Sequence, residues 1–213
     1  MATEREKEVR NEKEEFEYVF EILRQQLLDA SCHFDIWEQL WPTEKVVDVI
    51  SRYKGFFQPS RAAHLESLAI KVSDIVSNKA DAPSFYRILK MVGINSELAP
   101  DIDVREVKKR IQKHKKTLEA IKNFRNTRVA HWDTSVEKLE KPVLFGDTKR
   151  MLKEFGDIFN KISGSHSKNI WSFRYSEQSD VVSLIDGLKR LMSEDKKRIE
   201  ELKRKMEDDG QPE

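Results

Sequence analysis

Residues 16–30 read Phe-Glu-Tyr-Val-Phe-Glu-Ile-Leu-Arg-Gln-Gln-Leu-Leu-Asp-Ala, with Phe16, Phe20, Leu23, Leu27 and Ala30 recurring in steps of four and three. At about 3.6 residues per turn, that spacing lays one apolar stripe along a helix, which the period-two alternation of a strand does not match. The stripe predicts a first helix over about residues 8–31 and sets the pattern for the rest of the chain.

Working outward, a shorter segment over 33–41 ends before Pro42, and Val46, Val49, Ile50 and Tyr53 mark a helix that stops at Gly55. Leu65, Leu68, Ala69, Val72 and Val76 define the next, with Pro59 in its first turn. Asp81 and Pro83 open a short helix carrying Phe85, Ile88, Leu89 and Val92, closed by Gly93. Asp101 or Asp103 caps a single helix holding Val104, Val107, Ile111, Leu118 and Ile121. After an irregular stretch over 134–146, Asp147 caps a helix with Leu152, Phe155, Phe159 and Ile162, stopped by Gly164. Strands, internal repeats and a glycine-rich phosphate loop find no support, so the expected fold is all-α.

A last helix is expected over 177–208, with Val, Ile, Leu, Met, Asp, Ile, Leu and Met at 181, 185, 188, 192, 195, 199, 202 and 206. Those steps suit a coiled-coil seam, broken once at Asp195. The seam can pair with its copy in a dimer or pack on the body of the same chain. The expected organisation is a helical bundle domain over 1–175, followed by a heptad-patterned helix and a frayed tail over 176–213.

The chain has 213 residues, enough for one sizeable core or a domain with an appendage. Charged residues make up 36% and the hydrophobic set 38%, polar yet well supplied with bulky side chains by eleven Phe and four Trp. Seven Gly and six Pro argue against a loop-rich or all-β chain. A single cysteine, Cys32, excludes an internal disulfide and a multi-cysteine zinc site, which makes a reducing compartment the default. No apolar stretch approaches the roughly 20 residues of a membrane span, and the polar N-terminus has no apolar signal region. A cytoplasmic protein without membrane contact is the expectation.

The net charge of +1 conceals an asymmetry. Residues 1–21 carry eight Glu against four basic residues, whereas 103–128 carry ten Lys or Arg against three acids. A basic stretch in a neutral protein suits a polyanion, and equally a solvated helix face.

That basic stretch runs into Asn123-Phe-Arg-Asn-Thr-Arg-Val-Ala-His-Trp-Asp133, where Arg125 and His131 enclose five residues and Asn126 follows the arginine. Such an Arg–His pair occurs roughly once by chance in a chain with this many of each residue, so its context carries the weight. If the basic helix ran straight, Arg125 would share the angular sector of Val107, Ile111 and Leu118. A guanidinium on an apolar seam needs an anion: Asp133, a carboxylate of another helix, or a bound phosphate. On one straight helix His131 would diverge from Arg125, so the helix ends or bends near Ala130 or the site is shared between two chains.

The segment Arg125-Asn126-Thr127-Arg128-Val129-Ala130-His131 resembles the signature of HEPN domains, in which an arginine, often followed by asparagine, precedes a histidine by four to six residues. The ending Arg-Val-Ala-His-Trp-Asp looks closest to the abortive-infection U-type (AbiU2-like) branch, and the resemblance covers about 15–175. It implies an antiparallel HEPN-like helical bundle, here with an additional long C-terminal helix. It also implies a homodimer that brings two copies of the motif into a composite site. Many such proteins cleave RNA without a metal or cofactor. By position, His131 is then the general acid or base for 2′-oxygen attack on the adjacent phosphate, its pKa lying near neutrality. Arg125 holds the phosphate and Asn126 orients the reacting groups. Lys115, Lys116, Lys122 and Arg128 become the RNA-backbone contacts. A toxin of this kind is expected to have an antitoxin protein as partner.

The alternatives are a non-catalytic RNA- or nucleotide-binding module serving as a toxin–antitoxin subunit, and a protein-interaction module using the C-terminal heptads. His33, His64, His114 and His166 show no metal-ligand spacing with each other. Cys32 reads as a small buried thiol rather than a nucleophile. Trp37, Trp41, Phe56 and Phe57 read as core.

Overall fold

The computed structural model describes residues 4–129, 143–173 and 180–208. Among them no strand occurs, and the fold is all-α. The long helix α1 (Glu4–Gln39) is followed by α2 (Val47–Arg52), α3 (Lys54–Ile75), α4 (Phe85–Ile94), α5 (Val104–Gln112), α6 (Lys115–Phe124), α7 (Phe145–Ser167) and α8 (Asp180–Asp208).

Helix α1 runs unbroken through the expected gap at 31–33 because its sequence holds neither Gly nor Pro and its stripe continues. Phe34 and Trp37, 2% and 3% exposed, extend the steps beyond Ala30. It ends shortly before Pro42, where the α conformation becomes disfavoured for the preceding residue. Helix α3 starts earlier than expected, so that Pro59 and Gly55 both lie inside it. Pro59 gives up the amide bond to the Gly55 carbonyl, and the start of the helix is held by the amides of Phe56 and Phe57, which donate to the Tyr53 carbonyl at 2.9 and 3.1 Å. Ser84, not Asp81, caps α4: its hydroxyl accepts from the Arg87 N–H at 3.3 Å and donates to the Ser77 carbonyl at 2.7 Å. Asp103 caps α5, accepting from the Arg105 and Glu106 amides at 2.8 and 3.1 Å. Helix α7 passes through Gly164 and ends at Lys168, which takes the left-handed conformation with φ 57°.

The core lies between α1, α3, α4 and α7, where Leu23, Leu27, Leu68, Val72, Ile88 and Phe155 are sealed from solvent. An aromatic row ties α1 to α7: Phe16 stacks on Phe20 at 5.6 Å, Phe20 on Phe159 at 4.2 Å, and Phe159 meets Phe173 edge-on at 5.3 Å. Gly156 admits the Phe173 ring, since a Cβ there would lie 3.1 Å from it.

A smaller cluster of Leu40, Val49, Ile50 and Phe57 receives Ile185 from α8. Two of the four aromatics expected in the core are exposed instead, Trp41 at 43% and Phe56 at 60%, while Trp37 and Phe57 are buried. Trp41 lies where α1 has ended, with its ring against Phe145 and beneath Arg61, so it keeps only partial cover. Among the described residues no helix is long and apolar enough to cross a membrane.

Candidate functional site

The basic segment is two helices, not one. The chain turns at Lys113 and His114 before α6 begins, so the straight-helix alignment of Arg125 with Val107 and Ile111 does not hold. The turn re-aims α6 so that Ile121 and Phe124 enter the core while Lys122 stays outside.

Immediately after α6 the backbone widens into a π turn over Arg125–Val129. The Thr127 hydroxyl donates to the carbonyls of Asn123 at 2.8 Å and Phe124 at 3.3 Å, the back-bonding that bends helices. π turns inside helices gather at functional positions because they re-aim side chains. Here the turn begins at the arginine of the motif.

Arg125 is half-buried. Its Nε and Nη2 donate to Asn126 Oδ1 at 3.2 and 3.0 Å, which orients the guanidinium and leaves its other N–H groups uncommitted to Asn126. Among the described residues no carboxylate stands within 4.0 Å of Arg125, so no helix-borne acid there fills the role of structural partner. Asp133, the other carboxylate considered, lies outside the described residues, as do His131 and Trp132.

Arg125 lines an open cleft of about 1170 Å³, walled by the end of α3, the 77–83 loop, α4 and α6. Lys115 and Lys122 line the same cleft, whereas Lys116 is exposed and not among its lining residues. The Arg128 side chain is outside the described residues. The cleft is not uniformly basic: Asp74, Asp81 and Glu119 face it beside Lys79, Lys115, Lys122 and Arg125, and Lys115 lies 3.8 Å from Glu119. Lys122 and Arg125, three apart in sequence, both line the cleft.

Two further lining residues could not be found by sequence spacing, because they come from other helices. The Gln26 Oε1 is buried without a hydrogen-bond partner, the one such side-chain oxygen among the described residues. Tyr86 offers a ring and a phenol whose pKa burial pushes up, keeping it neutral at physiological pH.

Elsewhere, the fold brings together two histidines separated by 31 positions: the Nδ1 atoms of His33 and His64 lie 2.8 Å apart. Burial lowers the pKa of both, and one ring must donate while the other accepts. No group of three possible metal ligands occurs among the described residues. Cys32 has its thiol pKa raised, by burial first and then by Asp35 and Asp29, the opposite of nucleophile activation.

The described residues form an all-helical core that presents an Arg-Asn dipeptide at a π turn, over a cleft lined by cationic and acidic side chains. The family model described as AbiU2, a HEPN family, matches residues 13–191. The chain therefore belongs to the HEPN AbiU2 family, within the abortive-infection class. The match reaches past the boundary expected at 175 and into the first turns of α8. No curated protein and no solved structure matches the chain.

Proposed function

We propose that the chain is a metal-independent endoribonuclease of the toxin or phage-defence type. The observation that carries this reading is Arg125: a half-buried guanidinium, oriented by Asn126, lining the cleft and without a carboxylate partner among the described residues. A half-buried cation left without an anion is costly, and an RNA phosphate supplies one with matching planar geometry.

In the proposed reaction His131 takes the proton from a ribose 2′-hydroxyl, and the 2′-oxygen attacks the adjacent phosphorus. The bond from phosphorus to the 5′-oxygen breaks, and that oxygen takes up a proton. The products are a 2′,3′-cyclic phosphate and a 5′-hydroxyl. Arg125 offsets the charge that grows on the non-bridging oxygens, and Lys122 and Lys115 hold the flanking backbone. A homodimer would supply two copies of His131, one as base and one as acid.

The test is incubation of wild type and His131→Ala with single-stranded RNA in EDTA. Cleavage by wild type alone, with cyclic-phosphate ends, is expected. Tight RNA binding without cleavage by either protein would favour the binding-module alternative.

A further inference from the structure

Helix α8 has two halves that share one seam. In the first, Ile185 is 3% exposed and Leu188 and Met192 pack beside it on the small cluster formed by α1, α2 and α3. This half of the seam is covered by the chain's own body. The last tie is the ion pair between Arg52 and Asp195 at 3.7 Å. Beyond it every described side chain from 196 to 206 is exposed, including Ile199 at 52%, Leu202 at 53% and Met206 at 76%. The segment after Met192 continues for about 24 Å of helix at about 1.5 Å per residue. A helix without tertiary cover is marginal in water, and these three side chains continue the register of the buried half.

The flanks decide what can cover them. With Ile199 and Met206 at heptad position a and Leu202 at d, positions e and g are Lys196, Arg198, Lys203 and Lys205. All four are basic and exposed, and none has an ion-pair partner among the described residues. A second copy of α8 would set these cations against one another. In a parallel pair g meets e of the partner, and in an antiparallel pair g meets g and e meets e. Both arrangements repel. An anionic membrane fits less well, because the apolar face is only three residues and Glu194, Glu200 and Glu201 occupy neighbouring surface.

We infer that the exposed half of α8 is a docking surface for a different protein, through an amphipathic helix with apolar a and d positions and Glu or Asp at e and g. This inference does not depend on the proposed nuclease activity. It concerns a surface formed by other residues.

The full chain is titrated with two labelled synthetic three-heptad helices, both with Leu at a and d, one with Glu and one with Lys at e and g. Fluorescence anisotropy should show the acidic helix binding about tenfold or more tightly, four flanking pairs each contributing a factor of about two. Ile199→Ser with Leu202→Ser keeps every charge and should weaken the acidic helix about tenfold or more. Changing Lys196, Arg198, Lys203 and Lys205 to Glu should reverse the preference. All these positions are exposed, and circular dichroism verifies that each variant is folded. Three results would overturn the inference: equal affinity for both helices, binding indifferent to the serine pair, or wild-type self-association abolished by the serine pair. Preferential binding of this segment to phosphatidylglycerol vesicles would overturn it as well.

Discussion

Phe20→Ala should be among the most damaging single substitutions in the bundle. The Phe20 ring is 8% exposed, stacks on Phe159 at 4.2 Å and 16°, and on Phe16 at 5.6 Å and 12°. Removing a buried phenyl ring costs about 3–5 kcal/mol in lost transfer energy and residual cavity. Phe20→Leu keeps most of the buried apolar area but gives up two stacked pairs, each worth roughly 0.5–1.5 kcal/mol. The expected costs are therefore about 4 kcal/mol for alanine and about 1–3 kcal/mol for leucine. Urea unfolding followed by far-UV circular dichroism reads these as shifts in midpoint at an unchanged slope. A cost below about 1 kcal/mol for alanine would refute the packing of α1 on α7. Equal costs for both variants would refute the role given to stacking.

Two further outcomes follow from charge. Lys122→Gln should weaken binding of a 2′-O-methyl RNA, which cannot be cleaved, and reduce the slope of log affinity against log salt by about 0.7; an unchanged slope would remove Lys122 from the RNA track. The second concerns pH. Burial holds the His33 and His64 pKa values below the ordinary histidine value, so the unfolded chain binds more protons once pH falls below about 6.5. Stability attributable to the pair is present above that pH and is lost as pH drops through it. Melting temperature should fall between about pH 7 and pH 5 in wild type, and less steeply in a His33→Gln, His64→Gln double variant. Parallel curves would show that the pair carries none of the acid sensitivity.

The sequence made the helical architecture legible because the α1 stripe and the clusters of α3, α4 and α7 repeat at helical period and are sealed in the structure. Boundaries were less legible where chemistry is permissive. Gly93 lies one residue before the end of α4, as expected, whereas Gly55 falls in the first turn of α3 after α2 has ended at Arg52, and Gly164 is carried inside α7 beside the buried Ile162 and Ser163. The turn at Lys113 and His114 carries no glycine or proline to announce it. At the candidate site, Arg125 was readable from the local motif and Lys122 from the basic stretch that leads into it. Gln26, Tyr86 and the His33–His64 pair were not, since tertiary packing alone brings them together. The seam of α8 was visible along its whole length, but only the fold shows where its own body stops covering it.

The central claim is that Arg125 holds the phosphate that is cleaved. Single-turnover cleavage of single-stranded RNA in EDTA by wild type and Arg125→Ala, both verified as folded, tests it most directly. Loss of one charge-stabilising group of this kind should slow cleavage by about a hundredfold to a thousandfold while leaving cyclic-phosphate ends on the residual product. Cleavage at an undiminished rate by Arg125→Ala would contradict the account.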